Sequence, residues 1–183
     1  MFNKAVIFSL IFIAVILQSS FLPIFFPPET IPDLALILII IWTIRNGFEK
    51  TVGRSILAGF MLDLVYFWPV GISIITFVTI SFITSFLAKR FLISQRSWRL
   101  FIIVCFVVLG TLINQTILVV FAKILTYLKE ETLFSPFFGI SSFFKIVSNI
   151  VLLFIIYLPI KKIESFLDMY TQKAPQQGRF FQR

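Results

Sequence analysis

The side chains Asp63, Asn114, Gln115, Lys145 and Asn149 stand inside long apolar stretches of the sequence. A polar or charged group in such a setting is expensive and usually faces the interior of a helix bundle. Together they offer a carboxylate, an ammonium and three amides. That set suits an ion pair bridged by amides, or a pocket for a polar ligand. It does not suit catalysis, because it holds no nucleophile–base pair. The chain has no histidine and a single cysteine, Cys105, so the commonest metal ligand and the usual general base are both missing. No phosphate loop, CxxC pair, HExxH or GxSxG is present. The reading is therefore no catalytic residue, no metal and no cofactor. Counted by helical rise, Asp63 and Lys145 lie at similar depths, and the expectation is that these two charges pair, with Asn114, Gln115 or Asn149 bridging them.

A second pattern concerns packing. Thr51, Ser55, Gly59 and Asp63 recur every fourth residue and share one helix face. Small residues at that spacing let helix backbones approach closely. The face, and the loop Pro27 to Pro32, are candidate contacts for a membrane partner. Internal packing is the preferred reading of both.

The elements that must position these groups are membrane helices. Hydrophobic residues make up 59% of the chain and charged ones 13%, against roughly 45–50% and 25% in soluble domains. Six apolar segments are expected: Ala5 to Leu22, Asp33 to Ile44, Ser55 to Trp68, Ile72 to Ala88, Leu100 to Leu125 and Phe137 to Ile160. The first resembles a secretory signal, but Gln18-Ser19-Ser20-Phe21 is a poor cleavage site, which favours an uncleaved helix. Prolines break the chain between Pro23 and Pro32, and Trp68-Pro69-Val70-Gly71 reads as a tight turn. The second and third segments are short. The second rises only about 18 Å against a hydrocarbon core near 30 Å, so the two either cross separately or form a re-entrant pair.

With the N-terminus in the cytoplasm, thirteen of the sixteen Lys and Arg residues fall on cytoplasmic flanks, and only Lys123 and Lys129 fall outside. This bias predicts N-in, C-in and an even number of crossings. It also accounts for the net charge of +8 without a nucleic acid partner. Residues 1–162 form a single transmembrane domain on this reading, and 163–183 a basic cytoplasmic tail. In the tail Ile163, Phe166, Leu167 and Tyr170 have the spacing of a short interfacial helix on membrane lipid, followed by disorder from Lys173.

The stretch from 33 to 71 resembles the MreD family, the rod shape-determining membrane proteins of bacteria. The matching residues are Pro32-Asp33-Leu34, then Arg45 and Gly47, then Gly53 through Gly59-Phe60-Met61-Leu62-Asp63-Leu64, then Pro69-Val70-Gly71. Ser55 stands where the family often has Gly, Phe60 where Leu is usual, Asn46 separates Arg45 from Gly47, and Phe67-Trp68 replaces smaller residues. The resemblance implies a non-enzymatic component of the cell-wall elongation complex in the bacterial inner membrane. Such a protein binds an MreC-like membrane protein. Through it, MreB filaments are coupled to peptidoglycan synthases of the RodA and class B penicillin-binding type. The resemblance also implies an all-α bundle of about six transmembrane helices, similar to the substrate-binding subunits of energy-coupling-factor transporters. The alternative reading is a small-molecule-binding subunit of a vitamin-type transporter, holding its ligand with the polar cluster.

Overall fold

The computed structural model describes residues 4–66, 69–91, 99–129 and 142–156, and their regular structure is helical throughout. The helices are α1 (Lys4–Ile16), α2 (Leu34–Asn46), α3 (Phe48–Tyr66), α4 (Ile72–Phe91), α5 (Arg99–Lys129) and α6 (Ser142–Ile156). The tail, with the interfacial helix expected at Ile163, Phe166, Leu167 and Tyr170, lies outside the described residues.

α2 is short because it does not face lipid. Its first nine residues, Leu34 to Trp42, are all apolar, and nine of its thirteen are buried, with Leu36, Ile37 and Ile40 fully enclosed. A helix apolar all round belongs in the middle of a bundle. α2 contacts α1, α3, α4 and α5. α1 packs on α3, α3 on α4 and α4 on α5. α6 returns to the first helix, with Leu152 and Ile156 against the buried Ala14, Leu22 and Leu34. Among the described residues, five helices thus ring a sixth. Their outer faces carry exposed Phe8, Phe12, Phe82, Phe101, Phe143 and Phe154, where a water-soluble bundle would place charge. Among the described residues, three helical spans are long and apolar enough to cross a membrane: Val6–Ile24, Ile72–Arg90 and Leu100–Phe121. The chain is a helical membrane protein.

α3 starts seven residues earlier than the hydropathy reading placed it. Glu49, Lys50, Thr51 and Arg54 lie in its first two turns, and Glu, Lys and Arg are good helix formers that an apolar-run criterion discards. At nineteen residues α3 rises roughly 28 Å and is not short. A single residue, Gly47, separates it from α2. Gly47 donates its N–H to the Thr43 carbonyl at 2.9 Å and holds φ 78°, ψ 172°, a region closed to residues with a Cβ. The α4 hydroxyl of Ser85 then accepts the Phe48 N–H at 3.2 Å, so α4 caps the start of α3. A Gly47→Ala change leaves no steric clash nearby but forces strained backbone. It is expected to cost about 1–3 kcal/mol, read as a lower midpoint of thermal unfolding in detergent.

Candidate functional site

Prolines at 23, 27, 28 and 32 keep the chain from continuing α1 as a straight helix. α1 loosens into a π turn at Leu17–Phe21 and 3-10 turns at Leu22–Ile24 and Pro28–Thr30. α2 then begins at Leu34, inside the bundle. The first N–H groups of any helix have no partner within it, and in a membrane interior no bulk water is there to meet them. Side chains from other helices do so here. Asn149 Oδ1 accepts the Asp33 N–H at 2.7 Å, and Gln18 Oε1 accepts the Ala35 N–H at 3.1 Å. Gln18 continues the buried face of α1, at helical spacing from Ile11, Ala14 and Val15, and is 1% exposed.

The Asp33 carboxylate closes the group. Its Oδ1 accepts from Gln18 Nε2 at 3.2 Å, and its Oδ2 accepts from Asn114 Nδ2 at 2.9 Å. Lys145 Nζ lies 3.0 Å from the same Oδ2. Asn149 Nδ2 donates to the Thr111 hydroxyl at 2.8 Å, which donates in turn to the Val107 carbonyl at 2.8 Å. Tyr66 of α3 stands beside Gln18, within electrostatic range of Asp33. Gln18, Asp33, Thr111, Asn114 and Asn149 are all buried. A negative charge at the N-terminal end of α2 is also favoured by the helix dipole. The junction therefore joins α1, α2, α5 and α6 through one carboxylate.

Of the residues proposed from sequence for the polar cluster, Asn114, Lys145 and Asn149 come together here. Asp63 and Gln115 do not. The expected Asp63–Lys145 pair is corrected to Asp33–Lys145. Both carboxylates sit near the same end of the bundle, so depth did not separate them. Asp63 is engaged locally: its Oδ2 accepts the Gly71 N–H at 2.7 Å and its Oδ1 the Ser73 N–H at 3.0 Å. It caps α4 from the preceding helix. The Pro69-Val70-Gly71 turn brings those donors to it, with Gly71 at φ 118°. Gln115 Oε1 is buried and accepts no hydrogen bond. Sequence reasoning missed Gln18, Thr111 and the pairing role of Asp33. Asp33 is the acid at the start of an apolar segment too short to reach the membrane surface, and that was the available signal.

The Thr51, Ser55, Gly59 and Asp63 face is buried. Gly59 lies against the α4 backbone at Ser73 and Ile74, so this part of the face is filled within the chain. Thr51 and Ser55 turn their hydroxyls back onto the carbonyls four residues earlier, Gly47 at 2.9 Å and Thr51 at 3.2 Å, which keeps the face free of unpaired polar atoms.

All six helices lie within the match of the chain to a family model, that of the rod shape-determining protein MreD, which covers residues 1–163. The chain belongs to the MreD family. MreD proteins are shape-determining structural proteins rather than known enzymes, and among the described residues no group of three or more acids, histidines or cysteines is placed to hold a metal. Searches of curated proteins and of solved structures returned no match. Within this MreD chain, Pro32, Asp33 and Leu34 open the central helix at the junction, while Asp63, Pro69 and Gly71 build the α3–α4 cap.

That cap gives a graded expectation. Asp63→Asn keeps one acceptor oxygen and loses the charge, so it should cost about 1 kcal/mol. Asp63→Ala leaves two N–H groups at the start of α4 bare and should cost about 2–3 kcal/mol. Thermal unfolding of the two variants side by side checks the order.

Proposed function

We propose that this MreD-family chain is a multi-pass, N-in/C-in component of the bacterial cytoplasmic membrane that acts without catalysis in the cell-wall elongation complex. It binds an MreC-type membrane protein and helps couple MreB filaments to peptidoglycan synthesis by RodA and a class B penicillin-binding protein. The observation that supports a scaffold is the state of the polar interior: the buried carboxylate, the ammonium and three amides engage one another, and the central helix α2 fills the middle of the ring. A ligand would have to displace interactions that already fix four helices. Large apolar side chains cover the outer faces, so a protein partner anchored in the same bilayer would be met mainly along helix faces.

Tagged chain drawn from native membranes in mild detergent tests the reading. Recovery of an MreC-type protein with no tightly held small molecule is the expected result. A retained polar metabolite together with an ATPase module would replace the scaffold with a transporter subunit.

A further inference from the structure

One cation stands apart from the interior network. Arg54 is half-buried on α3, and its guanidinium lies over the Trp42 ring of α2, 5.1 Å from the centroid. Among the described residues no carboxylate and no hydrogen-bond acceptor meets it. An arginine carries five N–H donors in a planar fork, and a ring face satisfies the charge but none of those donors. Lys50, exposed, precedes it by one turn on the same face. Below it on that face come Leu57 and Met61, three and seven residues on, both half-exposed and apolar.

Depth limits what can fill the vacant donors. Arg54 is six residues into α3 and Trp42 four residues from the end of α2, so both lie within roughly 6–9 Å of the Gly47 hairpin by helical rise. That is the level of lipid headgroups, where tryptophan is enriched. The hairpin end is also the basic end: Arg45, Lys50, Lys89 and Arg90 are exposed there, and the Phe48–Ser85 bond fixes α4 beside it. An acceptor at that depth with apolar surface beneath it is a lipid phosphate, its oxygens on the guanidinium fork and its chains along Leu57 and Met61.

We propose that Arg54, backed by Trp42 and assisted by Lys50, forms a specific site for the phosphodiester headgroup of an anionic phospholipid. Bidentate recognition distinguishes this from the general attraction of a basic protein face to an anionic leaflet.

Native mass spectrometry of the purified full-length chain in neutral detergent, titrated with phosphatidylglycerol and with phosphatidylcholine, tests it. Wild type should hold phosphatidylglycerol more tightly. Arg54→Gln should weaken that binding roughly fivefold and affect phosphatidylcholine less, because its choline cation already offsets the charge of the same phosphodiester. Arg54→Lys, which keeps the charge but not the fork, should fall between. Lys89→Gln removes a more exposed charge at the same end and should have less effect than Arg54→Gln. Equal losses for Arg54→Gln and Lys89→Gln would overturn the site, since only bulk charge would then matter. Displacement of the lipid by millimolar inorganic phosphate would overturn it too, assigning the fork to a free anion. The lipid titration needs no protein partner, so it stands or falls separately from the scaffold reading.

Discussion

Replacing Asp33 by Ala is expected to be the most damaging single change in the polar interior. It removes the acceptor of the Gln18 amide, the Asn114 amide and the Lys145 ammonium together. Two of those groups are neutral and would each cost about 1–3 kcal/mol unpaired. The third is a charge, and stranding one partner of a buried ion pair costs about 3–5 kcal/mol. Lys145 is the less enclosed partner, its side chain 16% exposed against 9% for Asp33, and can relieve part of the loss by moving toward the surface. Lys145→Met should therefore be milder. Asp33 would keep both amides and the N-terminal end of α2. Thermal unfolding in lipid nanodiscs, with the yield of membrane-inserted protein as a second readout, should rank wild type above Lys145→Met and Lys145→Met above Asp33→Ala. Equal effects would mean that the amides contribute nothing beyond the ion pair.

The second large effect is at Gly59. A Cβ there would fall 2.6 Å from both N and Cα of Ile74 and 2.7 Å from the carbonyl carbon of Ser73. These are backbone atoms of α4, so no rotamer change relieves the contact. The helices must separate. Asp63 lies one turn further along the same face, and its bonds to Gly71 and Ser73 would stretch with them. Gly59→Ala is expected to cost about 3 kcal/mol and Gly59→Val more, the upper range for overpacking plus part of the lost cap. Two other helical glycines serve as controls. At Gly110 the nearest atom is the tip of the Ile40 side chain, at 2.8 Å, which can turn away, so alanine there should be mild. At Gly53 nothing lies within 4 Å, and alanine should be neutral or raise stability by up to about 1 kcal/mol through helix propensity. A common loss at all three positions would show that propensity or insertion, not the α3–α4 approach, governs the response.

Much of this was legible in the sequence where the physics is local. Apolar runs and prolines mark out the helices and their order. The four-residue spacing of Thr51, Ser55, Gly59 and Asp63 gave a close-packed face, and Gly59 is where the α4 backbone fills it. The boundaries slipped where polar residues are helical, as at Glu49 to Arg54, because hydropathy sees only the apolar part of a helix. The partner of Lys145 was not legible. Depth along a helix can be counted from the chain, but two acids at one depth differ only in what surrounds them. Asp63 is taken by N–H donors eight and ten residues ahead, whereas Asp33 opens a helix that starts inside the bundle. Gln18 was hidden for a related reason. It shares the buried face of α1 with Ile11, Ala14 and Val15, but nothing in that spacing names the Asp33 carboxylate as its partner.

Asp33 and Lys145 are coupled in one structural junction. A double-mutant cycle with Asp33→Asn and Lys145→Met, read by unfolding in nanodiscs, tests it most directly. The Asp33→Asn side chain is still polar and can meet the neighbouring amides, so the main fault of that single variant is the stranded ammonium. The main fault of Lys145→Met is the unpaired carboxylate. The double variant removes both charges. It is expected to be more stable than the sum of the two losses allows, by about 1–3 kcal/mol, and close to the better single variant. Losses that simply add would contradict it, and would mean that the two charges are held independently.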